Sequence, residues 1–402
     1  MRWAVFLLLW GVAALAAEDK PALSQNTHDV LIEAQGLIKE KKSAAAIDKI
    51  KALLPSIQDK SYDAAVSYQV LGYAYSAAED YSGAAQAFRE ALQRNALPAA
   101  ATHDLDYNLA QILIHDGKYR DGLNYLETWL KTEPAPPQNA HALAAVGYYH
   151  AGDCKSAIPH AESLAKDTGN AGEQWLQLLA ACHIQLKDYT AAARVLEQLA
   201  RLFPDKNDYW LQLAAAYQQA GQDGKAVVTL ELLHARGGLD EAGIENLARL
   251  YLAQQLPQRA ATLLEQAMNA GHLTQNAERL NLLADSWLLA QEKAKAAEAL
   301  QKLIAINADA EACFRLGQIY FDLEQWPKAA EMFREATRLP GLKESGTAYL
   351  QWGIAAVHIR DQAAAEHALS QALKDKSSRE QAQWWLDKLR TAGNDEDKHA
   401  PM

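Results

Sequence analysis

The sequence of 402 residues contains few cysteines and no long cluster of lysine or arginine. Three cysteines can form at most one disulfide bond within the chain, so disulfide bonds are not the main source of its stability. With 39 basic against 50 acidic residues the formal net charge is −11, and the chain lacks the positive surface that neutralises phosphates. We therefore expect no nucleic acid among its partners.

Sequence motifs of the common catalytic and nucleotide-binding folds are also missing. The chain has no GxxxxGKS/T loop, no GxSxG turn, no HExxH helix and no CxxC pair. His141, His150, Cys154 and His160 come closest to a metal site, but zinc needs ligands that converge tetrahedrally, and these residues fall on separate parts of one predicted hairpin. We expect no catalysis, cofactor or metal, and ordinary core and surface roles for these four residues.

Long hydrophobic runs are absent apart from one at the amino terminus. Residues 3–15 read WAVFLLLWGVAAL after the charge of Arg2, and the run closes on the small-x-small site Ala14-Leu15-Ala16. This pattern is typical of a secretory signal peptide, whereas an uncleaved membrane anchor, the alternative, needs about 20 apolar residues. We expect residues 1–17 to be a cleaved signal peptide and the chain to reside outside the cytosol, which in a bacterium means the periplasm.

What the sequence has in abundance is repetition. Pairs of small residues twelve positions apart, such as Ala214 and Ala226, recur along almost the whole chain at intervals of 33 to 38 residues. Large apolar residues surround each pair at helical spacing, as Trp210, Tyr217 and Leu230 do here. Two antiparallel helices approach closely only where the crossing residues are small. Each repeat is therefore predicted to be a helical hairpin.

These repeats resemble the tetratricopeptide repeat. Its signature has a large residue, then Leu-Gly or Leu-Ala, then Tyr, Ala, Phe, Ala and a closing Pro. The segments YQVLGYAYSAAEDYSGAAQAFREAL and FRLGQIYFDLEQWPKAAEMFREATRLPG match it closely. Over residues 27–379 the resemblance implies an all-α, right-handed superhelical solenoid of about ten hairpins. The units start near residues 27, 65, 103, 138, 173, 207, 241, 277, 310 and 346.

The ends of the array depart from the repeat pattern. Residues 18–26 are expected to form a flexible lead. Residues 379–391 carry Trp385, Leu386 and Leu389 on one side and charges on the other, which is typical of a helix that caps a solenoid. We expect the acidic tail, residues 392–402, to be disordered. Inside the array, Trp129 stands where the family has a small residue.

First helices line the concave groove in this family, so the repeat phase assigns candidate binding residues. Amides and aromatics prevail among them, and such side chains suit an extended peptide or helix, because amides hydrogen bond its backbone and aromatics bury area at small entropic cost. A merely hydrated groove is the alternative. Tyr107 and Tyr149 are the expected anchors. The candidates are Tyr73, Tyr107, Asn108, Gln111, His115, Tyr149, His150, Gln177, Gln218, Asn246, Arg249, Phe314, Gln318 and Phe321.

The cysteines lie in three different repeats. Cys154 falls at a hairpin turn and Cys182 on the first helix of the next unit. Two thiols can bridge if their Cα atoms come within about 6 Å. The sequence leaves two alternatives open, a disulfide between Cys154 and Cys182 or a pair of free thiols. Cys313, at a large-apolar position, is expected to be a buried small hydrophobe.

A second resemblance concerns function. Residues 100–375 include the stretches NDYWLQLAAAYQQAGQDGKAVVTLELLHARGGL and NLARLYLAQQLPQRAATLLEQAMNAGHL, which are similar to the periplasmic repeat proteins encoded with ExbB, ExbD and TonB in proteobacteria. The resemblance implies an accessory scaffold in the coupling of the inner-membrane proton gradient to outer-membrane transport, with those proteins as partners. It carries over no functional residue. The alternative is a repeat subunit of a polysaccharide-export or outer-membrane assembly complex.

The signal-peptide assignment predicts a new amino terminus. Because the small-x-small site lies at Ala14-Leu15-Ala16, export is expected to remove the first 16 or 17 residues. Amino-terminal sequencing of the protein isolated from cells measures this directly. An intact Met1 in the soluble cytosolic fraction would show that the assignment is wrong.

Overall fold

A computed structural model describes residues 22–59, 61–166 and 170–397 of the chain. Within these ranges every regular element is helical, which confirms the expected all-α fold of successive hairpins. None of the helices in the described ranges is long and apolar enough to cross a membrane. The predicted signal peptide, residues 1–17, lies outside them.

The chain divides into two compact units, Met1–Pro204 and Asp205–Met402, and helical hairpins make up the described residues of each. In the first unit each hairpin packs against the next along the chain. A short 3-10 helix, Leu54–Ser56, follows the first hairpin. The five hairpins are α1 (Gln25–Lys39) with α2 (Ser43–Leu53), α3 (Ser61–Ala77) with α4 (Tyr81–Gln93), α5 (Ala99–His115) with α6 (Tyr119–Thr132), α7 (Gln138–His150) with α8 (Cys154–Leu164), and α9 (Asn170–Gln185) with α10 (Tyr189–Leu202).

The second unit repeats the same plan and adds a final helix. Its last helix packs against both helices of the hairpin before it. The five hairpins are α11 (Asn207–Gln219) with α12 (Asp223–Ala235), α13 (Glu241–Ala253) with α14 (Pro257–Asn269), α15 (Ala277–Leu289) with α16 (Lys293–Ile306), α17 (Ala310–Asp322) with α18 (Trp326–Arg338), and α19 (Ser345–His358) with α20 (Gln362–Ala372); the final helix is α21 (Arg379–Asp397).

Helix boundaries lie close to the predicted unit starts. The first helix begins at the predicted residue in the units that start at 138, 207, 241, 277 and 310, and one to four residues earlier in the other five. The last helix, α21, continues to Asp397, so residues 392–397 are helical where the sequence indicated a disordered tail. The first proline after Arg379 is Pro401, so no proline interrupts the helix before that point.

The two helices of a hairpin cross where each helix carries a small residue. In α17 and α18, a Cβ atom on Gly317 would lie 2.7 Å from a ring carbon of Phe333, whose side chain is fully buried. In the hairpin of α11 and α12, Ala214 and Ala226 are 1% and 0% exposed. Any larger side chain at these positions would push the helices apart. The twelve-residue spacing read from the sequence is therefore the spacing of a helix crossing.

Each hairpin turns through one residue in the left-handed conformation. The next residue donates its N–H to a carbonyl five residues back, as Gln222 does to Tyr217 and Leu256 to Tyr251, both at 2.8 Å. This is the Schellman arrangement, which favours glycine at the left-handed position. Only three of the ten turns have glycine there. The residues, with φ from 56° to 83°, are Lys41, Glu79, Gly117, Gly152, Lys187, Gly221, Gln255, Gln291, Glu324 and Arg360.

At four turns the residue after the left-handed one is an aspartate that acts on both helices. The N–H of Asp188 donates to the His183 carbonyl at 2.9 Å and so closes α9. Its carboxylate accepts the N–H of Ala191 at 3.0 Å and so caps α10. Asp80, Asp153 and Asp361 make the same pair of contacts. One side chain thus orients two helices.

The turn geometry predicts opposite effects for two substitutions. Gln255→Gly is expected to stabilise the chain by about 0.5–1 kcal/mol. Glycine relieves the strain of the left-handed backbone, and this gain is larger than the conformational entropy that glycine loses on folding. Gly221→Ala is expected to destabilise it by about 1 kcal/mol through strain alone, since no atom lies within 4 Å of the added Cβ. Urea unfolding followed by circular dichroism measures both. Shifts of the same sign would contradict the role assigned to the turn.

Candidate functional site

Polar side chains bridge consecutive first helices in the second unit. Gln218 of α11 and Asn246 of α13 exchange two amide hydrogen bonds, each 3.3 Å long. One turn further along α13, the Arg249 guanidinium donates to the Glu278 carboxylate of α15 at 3.2 Å. The expected binding residues Gln218, Asn246 and Arg249 therefore come together, and each is held by a neighbouring hairpin.

Arginines and carboxylates continue this row, whereas amides and aromatics prevail among the residues expected from the sequence. Arg279 lies 2.9 Å from Glu241 and 2.6 Å from Glu245, and only 13% of its side chain is exposed. Hydrogen bonds from Thr274, together with Arg279, lower the pKa of the Glu241 carboxyl to about 2. Further along the chain, Arg315 of α17 pairs with Asp285 of α15 and donates to Asn281 at 3.2 Å.

These ion pairs could not be predicted from one repeat, because each joins residues of two repeats. A signal was present, however. Arg249 and Glu278 lie 29 residues apart, and Asp285 and Arg315 lie 30 apart. Each separation is a little less than one repeat, so opposite charges at these intervals meet across neighbouring first helices. A search for complementary residues at that interval would have found both pairs.

In the first unit, Tyr107 belongs to the core as well as to the surface. Its ring stacks on Trp129 at 4.4 Å, and His103 stacks on the same indole at 5.2 Å. Trp129 stands where the repeat pattern has a small residue. Its side chain is 6% exposed and fills the space under α5. Burial raises the pKa of the Tyr107 phenol, and the neighbouring Gln111 side chain offsets part of that rise. The expected anchor Tyr107 is thus a packing residue.

Two other expected groove residues are buried, which corrects their assignment. Asn108 is 7% exposed and donates to the Tyr73 hydroxyl of the preceding first helix at 3.0 Å. Phe314 is 3% exposed and packs against Phe333, with ring centroids 5.9 Å apart. Both lie between neighbouring helices, where adjacent side chains cover them. Phe321 is half-buried and meets Trp326 edge to face at 5.0 Å.

Histidines at the hairpin turns stack on aromatic residues of the preceding hairpin. His115, the last residue of α5, lies 4.4 Å from the Tyr81 ring, which begins α4. His150, the last residue of α7, stacks on Tyr119 at 4.9 Å and 15°. Trp326 and His358 repeat the contact at 4.0 Å and 7° in the second unit. The candidates His115 and His150 therefore join hairpins at the turn edge.

The remaining candidates lie on the first helices α7, α9 and α17. Tyr149 is half-buried and meets His150 edge to face at 5.3 Å. Gln177 is exposed on α9, and Gln318 is half-exposed on α17.

The residues weighed as metal ligands do not converge. His141 and His160 meet through their Nδ1 atoms at 2.9 Å, whereas His150 stacks on Tyr119 and the Cys154 thiol donates to Gln185. Among the residues that the structure describes, no group of three or more His, Cys, Asp or Glu side chains could hold a metal ion. Burial, reinforced by His141, lowers the pKa of the His160 imidazole.

Three segments of the sequence match the tetratricopeptide repeat family, at residues 65–96, 176–206 and 310–339. The chain contains tetratricopeptide repeats. The matches fall on the hairpins of α3 and α4, α9 and α10, and α17 and α18. No curated protein matches the sequence.

Solved tetratricopeptide repeat structures are similar at low identity. YrrB, described as having an unusual peptide-binding site, is 16% identical, with a TM-score of 0.38, over 49% of this chain and all of its own. A tetratricopeptide repeat protein from Parabacteroides merdae ATCC 43184 is 18% identical, with a TM-score of 0.33, over 65% of this chain and 98% of its own. The APC/C hetero-tetramer Cut9–Hcn1 is 12% identical, with a TM-score of 0.29, over 90% of this chain and 84% of the other. These likenesses say nothing about what the chain binds.

The histidine pair predicts that mild acid weakens the fold. His160 has a pKa below its unfolded value of about 6.5 because it is partly buried beside His141, so the unfolded state binds the proton more readily. Stability should therefore be full above pH 6.5 and fall as the pH drops through 6.5 toward the lower folded pKa. His160→Gln should flatten this dependence. Urea midpoints between pH 7.5 and 5 measure it; an unchanged fall in the variant would contradict the assignment.

Proposed function

We propose that the chain is a non-enzymatic scaffold that binds a protein or peptide on its first-helix face. We define this face by the exposed and half-exposed side chains Gln218, Asn246, Arg249, Glu278, Asp285, Arg315 and Gln318 of the second unit. Tetratricopeptide repeats are generally scaffolds for protein interaction. The observation that carries the proposal is the row of paired amides and charges along consecutive first helices.

The pairing of these side chains favours binding of an extended segment. Side chains already held by neighbours lose less conformational entropy when a partner arrives. Gln218 and Asn246 together offer amide donors and acceptors, which match the backbone groups of a peptide. The Arg249 side chain is 52% exposed, and arginine is enriched among the residues that dominate interface energies. The face thus combines ordered hydrogen-bonding groups with an accessible cation.

For the partner and the compartment, we propose an accessory role in a TonB/ExbB/ExbD-type energy-transduction complex of the periplasm. Two features of the sequence support this proposal. Residues 100–375 are similar to the repeat proteins encoded with those systems, and residues 3–15 form the apolar run of a signal peptide. A periplasmic scaffold of this kind would contact TonB or ExbD through segments that extend from the inner membrane.

Two arginines provide a matched test of the proposed face. Arg249 on first helix α13 and Arg259 on second helix α14 are 52% and 59% exposed, and each pairs with a glutamate of a neighbouring hairpin. We expect Arg249→Ala to weaken capture of the partner at least tenfold, as loss of an interface arginine does, and Arg259→Ala to change it less than twofold. Pull-down from a periplasmic fraction with quantitative mass spectrometry measures both.

The outcomes separate the face from the partner. Recovery of TonB or ExbD that depends on Arg249 supports both proposals. Equal recovery with both variants would rule out this face and leave the scaffold role. Recovery of only polysaccharide-export or outer-membrane assembly proteins would favour the alternative complex over the TonB system. Equal thermal unfolding midpoints of the two variants serve as the control for stability.

A further inference from the structure

Two thiols from consecutive hairpins lie in contact inside the first unit. Cys154 is the first residue of α8, and Cys182 lies in the last turn of α9. They are 1% and 0% exposed and form a buried cluster with Ala157. The Cys154 Sγ donates to the Gln185 Oε1 at 3.3 Å, and both cysteines are free thiols.

We propose that Cys154 and Cys182 form a disulfide that covalently joins the hairpin of α7 and α8 to the hairpin of α9 and α10. Both are free thiols whose side chains lie in one buried cluster, so a short approach of the sulfur atoms brings them to the bond length of about 2.05 Å. Closing this bond replaces a contact between small side chains with a fixed link. The link lies at the turn edge, where hairpins elsewhere are joined by rings or ion pairs.

The equivalent position in other repeats supports a joining role. In several repeats, neighbouring hairpins touch through two residues. One is the first residue of a second helix, and the other is the last residue of the first helix that follows it, as Tyr119 with His150 and Lys293 with Asp322 show. Cys154 occupies the first of these positions, and Gln185 occupies the second. Cys182 lies one turn before Gln185. A disulfide from Cys154 to Cys182 would join these two hairpins covalently, where ring stacking or an ion pair joins other neighbouring hairpins.

The reaction needs an oxidant, which we assign to the class of disulfides such as glutathione disulfide or an oxidised dithiol protein. One cysteine thiolate attacks the oxidant disulfide, whose sulfur–sulfur bond breaks and releases one thiol. The second cysteine thiolate attacks the protein sulfur of the mixed disulfide and releases the other. Two protein thiols are oxidised, and the oxidant is reduced to two thiols that carry away the two protons.

Burial determines when this exchange happens. Burial, reinforced by the neighbouring Cys154 thiol, raises the pKa of the Cys182 thiol, so the reactive thiolate is scarce in the folded chain. The oxidant also has no path to sulfur atoms with almost no exposed area. The bond therefore forms while the two hairpins are folding, and the folded chain then shields it from reductants.

The test is a thiol count on the full chain after refolding. Protein reduced and unfolded in denaturant is refolded in a mixture of reduced and oxidised glutathione, then unfolded again and titrated for free thiols. We expect three thiols before refolding and one after it, with Cys154 and Cys182 in one peptide pair by mass spectrometry under non-reducing conditions. The oxidised chain should melt roughly 5 °C above the reduced one, because the link restricts the unfolded state.

Single substitutions assign the effect to this pair. Cys154→Ser and Cys182→Ser should each abolish the linked peptides and the difference in melting temperature. Cys313→Ser, on α17 in the other unit, should keep both. Three thiols remaining in the refolded native sequence, or a linked peptide that contains Cys313, would overturn the proposal. Because the thiol count uses the unsubstituted chain, a variant that folds poorly does not weaken the test.

Discussion

Close crossing of the two helices in each hairpin is the constraint on which the rest of the structure depends. Gly317 lies directly against the buried ring of Phe333, and Ala214 is 1% exposed at the equivalent place of the first helix α11. The tight approach buries large residues on both sides of the crossing. It also fixes the distance from the crossing to the turn, which explains why the left-handed residue and the second-helix cap recur at one position in each hairpin.

A regular hairpin places corresponding residues of neighbours side by side. The amide pair of Gln218 and Asn246 and the ion pairs of Arg249 and Arg315 all join first helices of consecutive hairpins. Trp129 shows what happens when the regularity is broken. Its indole occupies the space under α5 and takes His103 and Tyr107 as stacking partners, so two side chains that a small residue would have left available become part of the packing.

The sequence predicted the helices well because their signals are local. Small residues twelve apart and large residues at helical spacing lie within one hairpin, so the start of α11 or α13 could be read without reference to any other repeat. The functional face was harder to predict. Repeat phase identifies the side of a helix, but whether Asn108 is open or covered depends on Tyr73 from the preceding repeat. The ion pairs of Arg279 and Arg315 likewise need the register between hairpins, which no single repeat contains.

Gly152 followed by Asp153 is the one turn of the ten that combines a glycine at the left-handed position with an aspartate that closes one helix and caps the next. The other nine turns lack one or both of these residues. The backbone geometry is nevertheless the same in each, and the sites are separated by whole repeats, so improvements at different turns would add almost independently. Glycine at the left-handed position and aspartate after it, introduced at the other turns, would therefore raise the thermal stability of the chain in many small and nearly additive steps.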